Sequence, residues 1–156
     1  MKEIDAKTVI VNMVKALNEH VIEGQEAYWA DDAVWRGPAG AGVKKSLRHF
    51  QEGWQRPFLE AFPDKHTIDE VLIAEGQYAA AMGTVSATHH GEFLGAEGTG
   101  KQINLKYMDF WKVEDGKIVE NWVLMDIVDF FRQIGIDLLD GKGWDDRGRE
   151  VLENGQ

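Results

Sequence analysis

Asp109-Phe-Trp-Lys-Val-Glu-Asp115-Gly116-Lys-Ile-Val-Glu-Asn-Trp122-Val-Leu-Met-Asp126 reads as two strands joined by an Asp-Gly turn. Asp-Gly tolerates the positive backbone angles of a two-residue hairpin turn, which sets Glu114 opposite Lys117. Counting back along both strands pairs Asp109 with Trp122 and Leu105 with Asp126. Alternation then puts Leu105, Tyr107, Asp109, Trp111 and Val113 on one face with Ile118, Glu120, Trp122, Leu124 and Asp126. That face is aromatic and apolar, yet it carries carboxylates. A carboxylate among apolar walls loses hydration, its pKa rises, and it becomes a candidate for proton transfer.

Upstream of the hairpin, His66–Ala74 and Gln77–His90 also read as strands. With Lys101–Glu114 and Lys117–Ile127 they make four, separated by Glu75-Gly76, a glycine-rich loop and Asp115-Gly116, links that suit an antiparallel meander. The first sixty residues follow a helical period. Ala6, Val9, Ile10, Met13, Val14, Leu17 and Val21 recur behind a possible Asp5 cap. Residues 23–30 suggest a short second helix. Val43, Leu47, Phe50, Trp54, Phe58 and Ala61 mark a third, which Gly53 and Pro57 should kink or divide. The loop Gly37-Pro-Ala-Gly-Ala-Gly42 lacks the Gly-Lys-Ser/Thr ending of a phosphate cradle. A last helix is expected over Val128–Leu139. Helices followed by strands describe an α+β domain with helices laid over one face of a curved sheet, here residues 1–140, with 141–156 as a C-terminal tail.

This topology gathers His66, His89, His90 and Asp126 at one sheet edge. Asp109 lies roughly 13 Å along from Asp126 at strand rise, so the two carboxylates are not a touching pair. The chain of 156 residues carries a formal charge of −10, which disfavours nucleic acid and anionic membranes and suits a small, weakly polar ligand. Zero cysteines exclude thiolate chemistry and fit a reducing cytoplasm. The start, Met1 to Lys7, has no apolar leader core, and no stretch is long enough to span a membrane. Six tryptophans are enough to line a flat apolar pocket or to fill a core.

Phe62-Pro-Asp, Ile73-Ala-Glu-Gly76, Thr88-His89-His90-Gly91-Glu-Phe-Leu-Gly95, Thr99-Gly100-Lys101, the segment Asp115 to Asp126 and Gln133-Ile-Gly135 together resemble the SnoaL-like polyketide cyclase family, over nearly the whole chain. The resemblance implies the cone of the nuclear transport factor two-like superfamily: a bent antiparallel sheet wrapped around N-terminal helices, enclosing a pocket and dimeric through the sheet. It also implies aldol cyclisation without a cofactor, in which a carboxylate base removes a proton next to a carbonyl. By motif position the base matches Asp126, and the Thr-His-x-Gly motif makes His89 its polar partner. Many members carry histidine where this chain has Asn121, which on the expected register points away from Trp122 and reads as structural.

Each candidate has a plainer reading. Asp126 is a general base or the cap of the following helix. His89 and His66 are donors to a reacting carbonyl or satisfied strand-end groups. Asp109 anchors a buried network, holds a water or orients a ligand. Trp35, Tyr107 and Trp122 line the cavity or fill the core. His89-His90 resembles no metal site, because adjacent strand residues diverge. The expectation is a lyase or isomerase acting on a small hydrophobic carbonyl compound, the alternative a non-catalytic binding protein for such a ligand. A homodimer is expected through the face of Asn104, Met108, Phe110, Val119, Val123 and Met125.

Overall fold

The computed structural model describes residues 4–155; Met1, Lys2 and Glu3 of the leader reading and Gln156 of the tail lie outside them. Helix α1 (Ala6–Asn18) starts where Asp5 accepts the Thr8 N–H at 2.9 Å, and it buries Ala6, Val9, Ile10, Met13 and Ala16. The segment expected as a second helix is instead a 3-10 turn at Gln25–Ala27 running into strand β1 (Trp29–Arg36). A short strand β2 (Val43–Lys44) precedes α2 (Leu47–Phe50), which Ser46 caps. The next helical turn widens to π geometry over Gln51–Gln55 before α3 (Arg56–Ala61). Pro57 has no N–H to return to the preceding turn, so this sequence widens the helix where a break was expected. Strands β3 (His66–Glu75), β4 (Tyr78–Thr88), β5 (Gln102–Glu114) and β6 (Lys117–Met125) follow, then α4 (Ile127–Gln133) and α5 (Arg149–Asn154).

The sheet has six strands in the order β2-β1-β6-β5-β4-β3. The expected meander forms four of its six strands, and β1 adds to the far side of β6 in parallel, the one departure from antiparallel pairing among the described residues. The Asp-Gly turn is as expected: Asp115 and Gly116 take φ of 50° and 74°, and Glu114 pairs with Lys117.

The register beyond that turn corrects the sequence reading. Val113 pairs with Ile118, but Lys112 pairs with Glu120, leaving Val119 as an extra residue on β6. Past this bulge every β6 side chain changes face. Asp109 pairs with Val123, not Trp122, and Tyr107 pairs with Met125. Asn121, Val123 and Met125 therefore join Tyr107, Asp109 and Trp111 on the inner face, while Trp122, Leu124 and Asp126 turn outward. A second slip, between Asp69 and Val71, sets His66 opposite Ser86 and turns it outward. The face expected to dimerise keeps Met108 and Phe110 exposed, but it gains Leu124 and loses Val123, which is buried.

The inner face meets α1 and the α2–α3 run across a core rich in rings. Trp35 packs on Phe50 and on Trp54, each at 4.9 Å between centroids, and Trp54 stacks on Phe58 at 5.1 Å. Asn18 fastens α1 to β3 at two points: its amide donates to the Thr67 carbonyl at 2.9 Å and accepts the Thr67 N–H at 2.8 Å. The last long helix ends at Gln133, before the expected Leu139, and the segment after it exposes Trp144 and Leu152.

Candidate functional site

A cavity of about 110 Å³ lies between the helices and the inner face of the sheet. That is room for several waters or a small organic group. Trp29, Trp35, Trp54, Trp111, Phe50 and Phe58 supply its aromatic walls, with Met13 and Leu17 from α1 and Val21 from the stretch after it. The polar groups among these walls are few and converge from different elements: Lys65, Thr67 and Asp69 from β3 and its approach, Tyr107 and Asp109 from β5, Asn121 from β6, Gln55 from the π turn and His20 from the turn after α1.

Asp109 stands on the sheet between Ala81 of β4 and Val123 of β6. Two apolar neighbours leave its carboxylate poorly hydrated, and the surface it keeps opens onto the cavity. Burial pushes its pKa up to about 7, opposed by a hydrogen bond from Asn121 and assisted by the charge of Asp69. Asn121 Nδ2 donates to Asp109 Oδ1 at 3.1 Å and to the Phe110 carbonyl at 2.9 Å, which fixes the amide's orientation. Asn121 is buried between Trp111 and Trp35, its partners on the flanking strands. The bulge at Val119 brings this pair together. Without it Asn121 faces outward.

The neighbouring row runs Asp69, Gly83, Tyr107 and Met125 across four strands. The Tyr107 hydroxyl donates to Asp69 Oδ1 by passing over Gly83. A Cβ on Gly83 would stand 2.5 Å from that hydroxyl oxygen and 1.9 Å from the Ile68 carbonyl oxygen, so only glycine leaves the crossing open. Burial raises the pKa of Asp69, an effect that the Tyr107 hydrogen bond opposes. Burial, the Asp69 hydrogen bond and the charges of Asp69 and Asp109 all raise that of Tyr107, which stays protonated. Lys65 edges the cavity with its ammonium directed to the Leu17 carbonyl at 3.5 Å, and loss of hydration lowers its pKa to about 8.

Of the residues expected at the site, Trp35, Tyr107 and Asp109 line the cavity. Trp122 does not: it lies on the outer face with the Arg36 guanidinium 5.2 Å from its ring centroid. His66 is exposed on the outer side of β3. Asp126 is exposed and caps α4, its Oδ1 accepting the Asp129 N–H at 3.1 Å. The expectation of a poorly hydrated Asp126 beside the indoles is thereby corrected, since it rested on an unbulged register. His89 is fully buried but outside the cavity. Its ring packs on Phe130 at 5.2 Å, its Nδ1 lies 3.0 Å from Thr99 Oγ1, and its carbonyl accepts the N–H groups of Thr99 and Gly100. It organises the loop between β4 and β5.

Asn121, Asp69 and Gln55 were missed. The signal for Asn121 was the histidine that many members of the resembled family carry at this place, a polar ring beside a motif tryptophan. Asp69 and Gln55 lie in stretches whose facing depends on the second bulge and on the π turn. Among the described residues no group of three His, Asp or Glu side chains is placed to hold a metal ion, and no helix is long and apolar enough to cross a membrane.

The family model for SnoaL-like polyketide cyclases matches residues 7–134. No curated protein matches the chain significantly. Among solved structures, IdmH from Streptomyces antibioticus, a candidate polyketide cyclase, is 27% identical, with 82% of this chain and 96% of that one covered at a TM-score of 0.70. AclR from Streptomyces galilaeus, a candidate hydroxylase, is 28% identical, with coverages of 83% and 95% and a TM-score of 0.72. A SnoaL-like polyketide cyclase from Agrobacterium tumefaciens shares the fold at 18% identity, with coverages of 86% and 100% and a TM-score of 0.73. A candidate cyclase and a candidate hydroxylase stand at similar identity to this chain, so likeness of fold alone assigns no reaction. With the matched span, the helix-lined open cone and the aromatic cavity in agreement, the chain belongs to the SnoaL-like polyketide cyclase family.

Proposed function

We propose that the protein is a lyase or isomerase of the polyketide-cyclase type, with Asp109 as the general base in place of the expected Asp126. The observation that carries this is a carboxylate with a pKa near 7, oriented by Asn121 at the wall of an aromatic cavity. A ring held among the indoles presents a carbon next to its carbonyl. Asp109 takes the proton from that carbon, the C–H electron pair moves into the enolate, and the enolate carbon attacks a second carbonyl of the same molecule to close a ring, the π electrons of that carbonyl becoming an alkoxide that takes the proton back from Asp109. A base with a pKa near the working pH balances being ionised against being a strong acceptor. Asn121 holds one carboxylate oxygen, leaving the other for the proton. A cysteine-free chain suits the cytoplasm, the compartment we assign it. Self-association through the exposed Met82, Met108, Phe110 and Leu124 is the partner arrangement we assign, with sizing at low concentration as its check.

Proton abstraction is measurable without the natural substrate. Acetophenone incubated with the protein in heavy water should exchange its methyl protons for deuterium, with a rate that rises through about pH 7 and levels above it. In Asp109→Asn the exchange should fall to the buffer rate. Binding of the ketone without exchange in the wild type makes the protein a binder and sinks the base assignment.

A further inference from the structure

Beyond Asp109 and Asn121, the cavity holds a second set of polar groups that the fold leaves uncommitted. Gln55 is 7% exposed and lines the cavity, yet among the described residues neither its amide nitrogen nor its amide oxygen has a partner. Trp29 is 3% exposed, lines the same cavity, and its indole N–H also lacks a partner among the described residues. Folding strips water from such groups at a cost, and a buried amide is normally satisfied at both ends. The wide turn over Gln51–Gln55 places Gln55 there. Irregular turns of this kind recur where a side chain serves a site.

We infer that Gln55 and Trp29 form a hydrogen-bonding subsite for a neutral hydroxyl on the bound ring compound, separate from the carbon acid at Asp109. Gln55 offers one acceptor and two donor hydrogens, and Trp29 one donor. A hydroxyl is the smallest group that donates to the first and accepts from either of the others. Two carboxylates, Asp69 and Asp109, against one lysine, Lys65, in the cavity lining disfavour an anion. Gln55 lies on the helical wall and Asp109 on the sheet wall, so the ligand class is a flat molecule with oxygen functions reaching both: a hydroxylated aromatic ketone. This deepens the proposed reaction by naming what selects the substrate, and it rests on that reading only for the ketone.

The test compares acetophenone with 4′-hydroxyacetophenone by proton–nitrogen NMR titration of the whole chain. The hydroxylated ketone should bind roughly tenfold more tightly and shift the Trp29 indole N–H and the Gln55 side-chain amide. In Gln55→Leu the preference should collapse to within about twofold while acetophenone binds as before, and Trp29→Phe should lose part of it. Asp109→Asn should keep the preference, so a failure of the base assignment leaves this result standing. Three outcomes overturn the subsite: a preference that persists in folded Gln55→Leu, unmoved Trp29 and Gln55 signals at saturation, or no preference in the wild type, including no binding of either ketone.

Discussion

Asp109 and Asp126 sit on one hairpin and meet opposite fates. Asp109, in mid-strand, is enclosed by indoles and aliphatic side chains and has its pKa pushed up to about 7. Asp126, at the strand's exit, remains in solvent and spends its carboxylate on the first turn of α4. The residue type is the same and the chemistry is not, because the side that a strand residue faces decides whether its charge keeps its water. A motif places a carboxylate in sequence; only the register places it in a cavity.

The contrast is broken most directly by exchanging the two losses. Asp109→Asn should lower turnover of a cyclisable ketone by about 10²- to 10⁴-fold, the range for removal of a general base, while Asp126→Asn stays within about twofold of wild type. The reverse order restores Asp126 as the base.

Stability should separate them next. The folded pKa of Asp109, about 7, lies above its model value of 3.8, so the folded state holds a proton that the unfolded chain has already released in that window. Stability therefore falls as pH rises from about 4 to about 7 and is flat above. Asp109→Asn removes that fall and should be more stable than wild type by about 4 kcal/mol at pH 8, with no such gain at pH 3, in denaturant titrations. A gain of equal size at both pH values contradicts the buried carboxylate.

Asn121→Leu sharpens the picture by a smaller amount. It deletes the hydrogen bond that favours ionised Asp109, so the pH at which exchange is half-maximal should move up by about one unit. An unmoved midpoint leaves Asn121 as packing alone. The smallest effect belongs to Asp126→Ala, which should cost about 1 kcal/mol through the lost helix cap and leave the exchange profile in place.

Much of this architecture is legible in the letters. Asp115-Gly116 announces its turn, and Leu105, Tyr107, Asp109 and Trp111 alternate cleanly onto the inner face. The bulge is not legible, because Lys117-Ile-Val-Glu-Asn-Trp-Val-Leu-Met is apolar on both registers: Ile118, Trp122 and Leu124 make as good an inner face as Asn121, Val123 and Met125. Strand β1 hides for another reason. Its middle, Asp31-Asp32, is charged and exposed, and the residues before it carry a helix-like composition. Gln55 needs the π turn to be aimed at the cavity, and no local propensity reports that geometry.

Val119 works as a phase shifter for the whole downstream half of its strand. Insert or delete one residue beside such a hairpin turn and the inward set is traded wholesale for the outward one, with the scaffold's outline intact. A length change alone can thus decide which carboxylate of such a hairpin faces the cavity, and two chains that spell the same motif need not present the same side chain to what they bind.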